Sequence, residues 1–337
     1  MNRLIPSNLT LVSRMTFLTA ALMGVFLLAY LLGTPNVAIG ATQPDVKVAR
    51  PNNPVMSVLI GDAKETNKFT ANGRFVVENS DGEVLMTLKK YQWVKIKFNG
   101  KKYIAWRGDT KVKSKKPLRV TSVKLHKKVR AINFENRPAW DTSLNDNIFF
   151  GSIELIYSDN SAKELLVNHV PIERYVRGIA EATDNLDEAY LKTLLTAART
   201  YALYHITHPT KHADEPYILN ATEGDQIYRG AGFSKRAPNV VAAQKTTKAQ
   251  VVTFDGEPII APYFSQSDGR TRAWSEVWNG SYDWSKSVDD PCCTSKTKLG
   301  HGVGLSGEGA RYFAEQGWGW KKILKYYYND VEIEEGY

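Results

Sequence analysis

Between residues 55 and 168 the apolar residues fall in short runs that alternate with polar ones or are β-branched. The runs are 58–60, 74–77, 84–88, 93–98, 103–106, 118–125, 148–157 and 164–167. A period of two marks a strand with one buried face. Asn72-Gly73, Asp81-Gly82 and Asn99-Gly100 separate several runs and suit tight hairpin turns, so this region is expected to be antiparallel β. At Val170 the period changes. Pro171 suits a first helical position, and Ile172, Tyr175, Val176 and Ile179 share one helical face. A second helix is expected with Asn185 as its cap and Glu188 three residues on. Leu191, Leu194, Leu195, Ala198 and Ala202 form its buried stripe, and Pro209 follows its end. Beyond a loop at 220–230, the pattern predicts a short helix at 242–248, a strand at 250–254, a turn at Asp255-Gly256 and a returning strand at 258–264. Helices at 310–313 and 320–327 close the chain. The expected fold class is mixed α+β, an antiparallel β-rich part (55–168) followed by a helix-containing core (169–330).

Residues 15–33 carry no charge and follow Arg14 directly. That is about the length needed to cross a bilayer as a helix. Residues 1–33 therefore read as a membrane anchor or signal peptide, and the proline-rich stretch 34–54 as a linker. Arg3 and Arg14 precede the span, which favours a single-pass protein with its main domain outside the cytoplasm. A secreted or wall-associated product is the alternative, since Ala38-Ile39-Gly40 is an acceptable cleavage site. Of the formal charge of +9 over 337 residues, those two arginines account for two, so the remainder is still strongly basic. Outside the membrane such a surface suits anionic wall polymers rather than nucleic acid.

The densest chemical signal is residues 300–310, GHGVGLSGEGA, where one histidine, His301, sits among five glycines. Gly302, Gly304 and Gly307 also satisfy GxGxxG. A dinucleotide fingerprint requires a buried strand before it, whereas 291–299 is mostly polar, so a nucleotide is excluded.

Several motifs together resemble the stage II sporulation protein D family, a cell-wall family that also contains the amidase enhancers. They are VPIERYVRG (170–178), AARTYA (197–202), DQIYRG (225–230), the segment YFS…GRT…EVW (263–278) and GHGVGLS (300–306), in family order. The resemblance implies an extracytoplasmic α/β domain acting on peptidoglycan glycan strands, in some members as a lytic transglycosylase with one glutamic acid. That glutamate should lie five residues after Gly178, where this chain has Thr183, which cannot serve as an acid. The neighbouring carboxylates Glu181 and Asp184 are the candidate acids, with His301 beside them. The alternative is a module that binds glycan and stimulates or recruits a wall amidase. For Glu181 a plain surface pairing with Arg177 is the competing reading.

The motifs nominate Arg199, Tyr201, Gln226, Tyr228, Tyr263, Ser265, Arg270, Thr271, Trp278, Gly302, Gly304 and Ser306 as glycan-contacting residues. Tyr263, Trp274, Trp278, Tyr282 and Trp284 offer flat faces for sugars, two of the five being expected to face a groove. Arg270 and Arg272 suit carboxylates. No cofactor is expected. Zinc is weighed because some family members carry it near the glycine signature, with Cys292, Cys293 and His301 as ligands. The adjacency of the cysteines argues against both a shared ion and a disulfide. A cysteine nucleophile paired with His301 is the remaining rival, and His205, His208 and His212 read as a helix end.

Overall fold

Alternating burial organises the first half of the described chain, which comprises residues 46–337 of the computed structural model. Its strands are β1 (Val55–Asp62), β2 (Asn67–Ala71), β3 (Phe75–Asn79), β4 (Val84–Leu88), β5 (Trp93–Phe98) and β6 (Tyr103–Arg107). β7 (Thr110–Ser114), β8 (Leu118–Ser122), β9 (Lys128–Ala131), β10 (Ile148–Phe150), β11 (Ser152–Ser158) and β12 (Lys163–Pro171) follow. They pair as two antiparallel arrays, β1-β12-β11-β8-β3-β4 and β10-β9-β2-β5-β6-β7. Phe69, Val94 and Ile96 of the second sheet turn inward with Phe75, Val77, Leu118 and Val120 of the first, so both contribute to one core.

The second half comprises α1 (Ile172–Val176), α2 (Glu188–Thr207), β13 (Leu219–Asn220), α3 (Gly230–Arg236), α4 (Pro238–Thr246) and β14 (Gln250–Phe254). After it come β15 (Glu257–Pro258), β16 (Tyr263–Phe264), β17 (Leu305–Ser306), α5 (Gly307–Glu315), α6 (Trp320–Tyr327) and β18 (Glu332–Glu335). β13 joins β1 in parallel and so attaches this half to the larger sheet. α2 carries the expected stripe, Leu191, Leu194, Leu195, Ala198 and Ala202, all buried. The chain is thus a mixed α/β protein with antiparallel sheets, as expected.

Several local expectations are corrected. The cap of α2 is Asp187, whose carboxylate accepts from the amides of Ala189 (2.7 Å) and Tyr190 (3.4 Å). Asn185 instead accepts the Thr183 hydroxyl. An acid at a helix N-terminus also meets the positive end of the helix dipole. The run at 148–157 is two strands in different sheets, because Gly151 adopts φ 75° and a Cβ there would lie 2.0 Å from the His169 carbonyl oxygen. Asn72-Gly73 does not close a hairpin, since β2 and β3 lie in different sheets. Of the returning strand at 258–264 only the two ends pair. β18, with three glutamates in four residues, carries no apolar signal and is recruited by β14 alone.

The expected anchor at 15–33 lies outside the described residues. Among the described residues no helix is long and apolar enough to cross a membrane.

Candidate functional site

The glycine stretch passes through the left-handed region at Gly300 (φ 101°), Gly302 (φ 90°) and Gly304 (φ 75°), conformations that side chains with a Cβ rarely adopt. At Gly304 a Cβ would also lie 2.2 Å from the Pro262 carbonyl oxygen. The turn therefore lies close against the segment before Tyr263 and presents His301. The Val303 amide donates to Nδ1 (3.0 Å), so Nε2 carries the proton and donates to the Tyr263 carbonyl (3.0 Å). Burial pushes this imidazole down to about 4, and it is neutral at physiological pH. With both nitrogens engaged by backbone, its structural effect is to hold the turn against β16.

His301 lines a groove of about 870 Å³. Aromatic rings dominate its wall: Tyr201, Tyr204, Trp274, Trp278 and Tyr282. Trp278 lies 4.9 Å from His301 and 4.5 Å from Trp274, centroid to centroid. Four of the five aromatics nominated for sugar contact line the groove, and Trp284 is buried instead. Polar groups also enter it. Lys211 pairs with Asp225 and donates to the Tyr201 hydroxyl (2.9 Å). Burial opposes the Lys211 charge, but Asp225 and Tyr201 outweigh it and hold the ammonium above its ordinary value. His205, only 7% exposed, lines the groove with an Nδ1 that finds no partner among the described residues.

Glu181 follows the short helix α1, just beyond Gly178. Its Oε1 accepts from the Ile227 amide (2.7 Å), and its carboxyl accepts from the hydroxyl of Tyr263, a residue of the groove wall. Burial pushes the carboxyl up to about 7, against the opposing pull of Tyr263 and Ile227. No positively charged side chain contributes to that balance, and Arg177 donates to Gln244 rather than pairing with Glu181. Gln226 lies behind Tyr263, donating to its hydroxyl (3.0 Å) and accepting from Tyr175 (2.9 Å).

The other nominated residues divide by position. Tyr201, Tyr263, Ser265, Trp278 and His301 line the groove. Asp184 is engaged elsewhere, its Oδ1 accepting the Val240 amide at the start of α4. Arg199 is fully buried and binds Glu173 through Nε (3.2 Å) and Nη2 (3.3 Å). Gln226, Tyr228, Thr271, Gly302 and Ser306 are buried, and Tyr228 donates to Asn168 (2.9 Å). Arg270 and Arg272 are paired with Glu276 (2.9 Å) and Asp268 (2.7 Å) outside the groove lining. Ser306 caps α5 by accepting the Gly309 amide (3.2 Å). Ser306→Ala is accordingly expected to lower stability by about 1 kcal/mol, read by calorimetry, with glycan affinity unchanged.

Tyr204, His205, Lys211 and Asp225 were not nominated from sequence. His205 appears there only as part of a helix end, and Lys211 reaches the groove only because the chain after α2 folds back on Asp225.

The cysteines are a correction. Cys292 and Cys293 form a disulfide on a short 3-10 turn, where two free thiols were expected. The turn brings the two sulfurs together despite their adjacency. In this state they offer no thiolate to a metal or an acyl group. Asp290 stands beside them, but its carboxylate accepts from Ser267 (2.7 Å) and Tyr327 (2.8 Å). Residues 292, 293 and 301 thus do not fit zinc as they stand.

Residues 160–254, from β12 through β14, match the family model described as Stage II sporulation protein. The chain is similar to an uncharacterised protein of Brachyspira hyodysenteriae, with 30% identity over 192 residues, covering 56% of this chain and 49% of that one. It is similar to stage II sporulation protein D of Bacillus subtilis at 25% identity over 137 residues, covering 37% and 40%. Against the protein of the same name from Bacillus amyloliquefaciens the identity is 22% over 260 residues, covering 50% and 76%. The chain thus spans less than half the length of the first two relatives.

Proposed function

This chain belongs to the stage II sporulation protein D family, and on that premise we propose that it serves a cell-wall-related role and cleaves peptidoglycan glycan strands as a lytic transglycosylase. The observation that carries the proposal is the placement of Glu181, whose carboxyl accepts from the Ile227 amide (2.7 Å) and from the hydroxyl of Tyr263 in the groove wall, with burial pushing it up to about 7. A general acid works best when its pKa lies near the working pH. Glu181 delivers its proton to the glycosidic oxygen, and the bond from that oxygen to the muramoyl C1 breaks. The sugar's own C6 hydroxyl then bonds to C1 and returns its proton to the Glu181 carboxylate. No water is consumed, so one carboxyl suffices where hydrolases need two.

The groove supplies the other requirements. Trp274, Trp278 and Tyr282 provide flat faces for pyranose rings. Trp278→Ala is expected to weaken binding of glycan strands roughly 5- to 10-fold, the loss of about 1–1.5 kcal/mol of stacking, measured by co-sedimentation. The anchor at 15–33 would hold this domain outside the cytoplasm.

One observation favours a second reading. Thr183, at the position where the family carries its glutamate, is exposed and its hydroxyl donates to Asn185 (2.7 Å). On that reading the groove binds glycan without cutting it and presents the strand to a wall amidase. Incubation of the full chain with glycan strands stripped of stem peptides separates the two. Anhydromuramoyl ends detected by mass spectrometry support the transglycosylase. Retention on the strands without such ends supports the binding module.

A further inference from the structure

A second surface lies on the outer face of the six-stranded sheet. Phe69, Val94, Ile96, Tyr103 and Ala105 turn into the core, so the alternate residues must face outward. Lys95 stands opposite Lys68 and Trp106, Trp106 opposite Lys111, and Ile104 between Lys97 and Lys113. The strands of this sheet hold eight lysines and arginines and no Asp or Glu. None of the eight forms an ion pair among the described residues, although such pairs are common elsewhere in the molecule.

Two half-buried tryptophans lie among these cations. Lys68 stands 4.6 Å and Arg107 5.4 Å from the Trp93 ring, and Lys95 lies about equally far from Trp93 (6.0 Å) and Trp106 (5.9 Å). Beside Trp106 a recess of about 360 Å³ is lined by Lys97, Ile104, Lys111 and Asp109, the acid belonging to the β6–β7 turn. Neighbouring strands are about 4.8 Å apart and same-face residues about 7 Å along each strand, so the charges form a grid rather than a point site.

We propose that this face binds an acidic glycan, a polymer whose sugar rings pack against Trp93 and Trp106 while carboxylate or phosphate groups on its repeats meet the lysine grid. Charge complementarity selects an anion, since unpaired cations this dense repel one another until counter-charge arrives. The rings select a sugar polymer over a bare polyanion, because a flat apolar face contributes only if the ligand has one to match. The surface is separate from the groove, and it would keep the protein on an anionic matrix whether or not Glu181 cleaves.

The test uses the full chain and four probes: polygalacturonate, polyglutamate of equal charge, neutral dextran, and vesicles containing anionic phospholipid. Polygalacturonate is expected to bind at least fivefold more tightly than polyglutamate, and dextran not to bind. Binding should weaken steeply with added salt, as for any polyelectrolyte releasing its counterions. The double variant K95E/K97E should weaken polygalacturonate binding at least tenfold, and Trp106→Ala should erase its advantage over polyglutamate. Both variants should melt near the parent temperature, since the lysines are outward-facing and Trp106 is only half buried. Equal affinity for the two polyanions would overturn the proposal, because the face would then read charge alone. So would tighter binding to the vesicles, or full binding by both variants.

Discussion

Glu181→Gln is expected to lower the formation of anhydromuramoyl ends by about 10³-fold, the middle of the range for loss of a general acid. Glutamine keeps the shape and can still accept from the Ile227 amide but has no proton to deliver. Glycan retention should persist, because the groove aromatics are untouched. The pH profile supplies an independent reading. With the acid titrating at about 7, activity should fall roughly tenfold per pH unit above that point. Tyr263→Phe removes a hydroxyl that pulls the pKa down, so the alkaline limb should move to higher pH. Stability carries the same signature with a definite sign. The folded chain holds this proton up to about pH 7 while the unfolded chain releases it near the ordinary carboxylate value. The wild type therefore loses stability as pH rises between those values and does not regain it above them. Glu181→Gln, which cannot ionise, should gain melting temperature relative to wild type as pH rises from 4 to 8. A flat difference across that range would remove the basis for assigning the acid.

Arg199→Met is expected to destabilise the fold by about 3–5 kcal/mol, the cost of removing one partner of a buried ion pair. Arg199 is wholly enclosed, and it donates to Glu173, to the Gln250 carbonyl (3.2 Å) and to the Gln244 carbonyl (3.4 Å). Glu173 in turn accepts from the Ala249 amide (2.8 Å) and the Tyr337 hydroxyl (2.5 Å), so one ion pair ties α1, α2, the start of β14 and the chain beyond β18 together. Burial works against the Glu173 charge, yet Arg199, Tyr337 and Ala249 hold its carboxyl below the usual range. Without Arg199 that carboxylate is stranded and takes up a proton more readily. The deficit, followed by chemical denaturation, should be largest near pH 7–8 and shrink as pH falls towards 4. Any glycan affinity measured on the folded variant should equal that of the wild type, which a contact residue could not satisfy.

These two positions show how a motif and a site differ. In AARTYA, Tyr201 reaches the groove while Arg199, two residues earlier on the same helix, points into the core. In DQIYRG, Asp225 lines the groove, whereas Gln226 supports Tyr263 from behind and Tyr228 closes over Gly178, where a Cβ would lie 2.4 Å from its ring. A linear motif records that residues belong together without saying which face the solvent. Similarly, Arg270 and Arg272 look free in sequence, but their charges are taken up by Glu276 and Asp268.

What the sequence alone determined is the local part. Period-two runs, the apolar stripe of α2 and the glycine turn follow from steric preference and from which residues avoid water, and both are properties of near neighbours along the chain. The tertiary structure decided what depends on distant partners: the splitting of one apolar run between two sheets at Gly151, where a Cβ would meet the His169 carbonyl oxygen, and the choice among neighbouring carboxyl groups. Asp184 and Glu181 differ little as residues. One meets the amide of Val240 and the other is closed in by Ile227 and Tyr263, and only the fold brings those groups near. A pKa is set by the dielectric and donors around a group, so it first exists when the chain has closed around it.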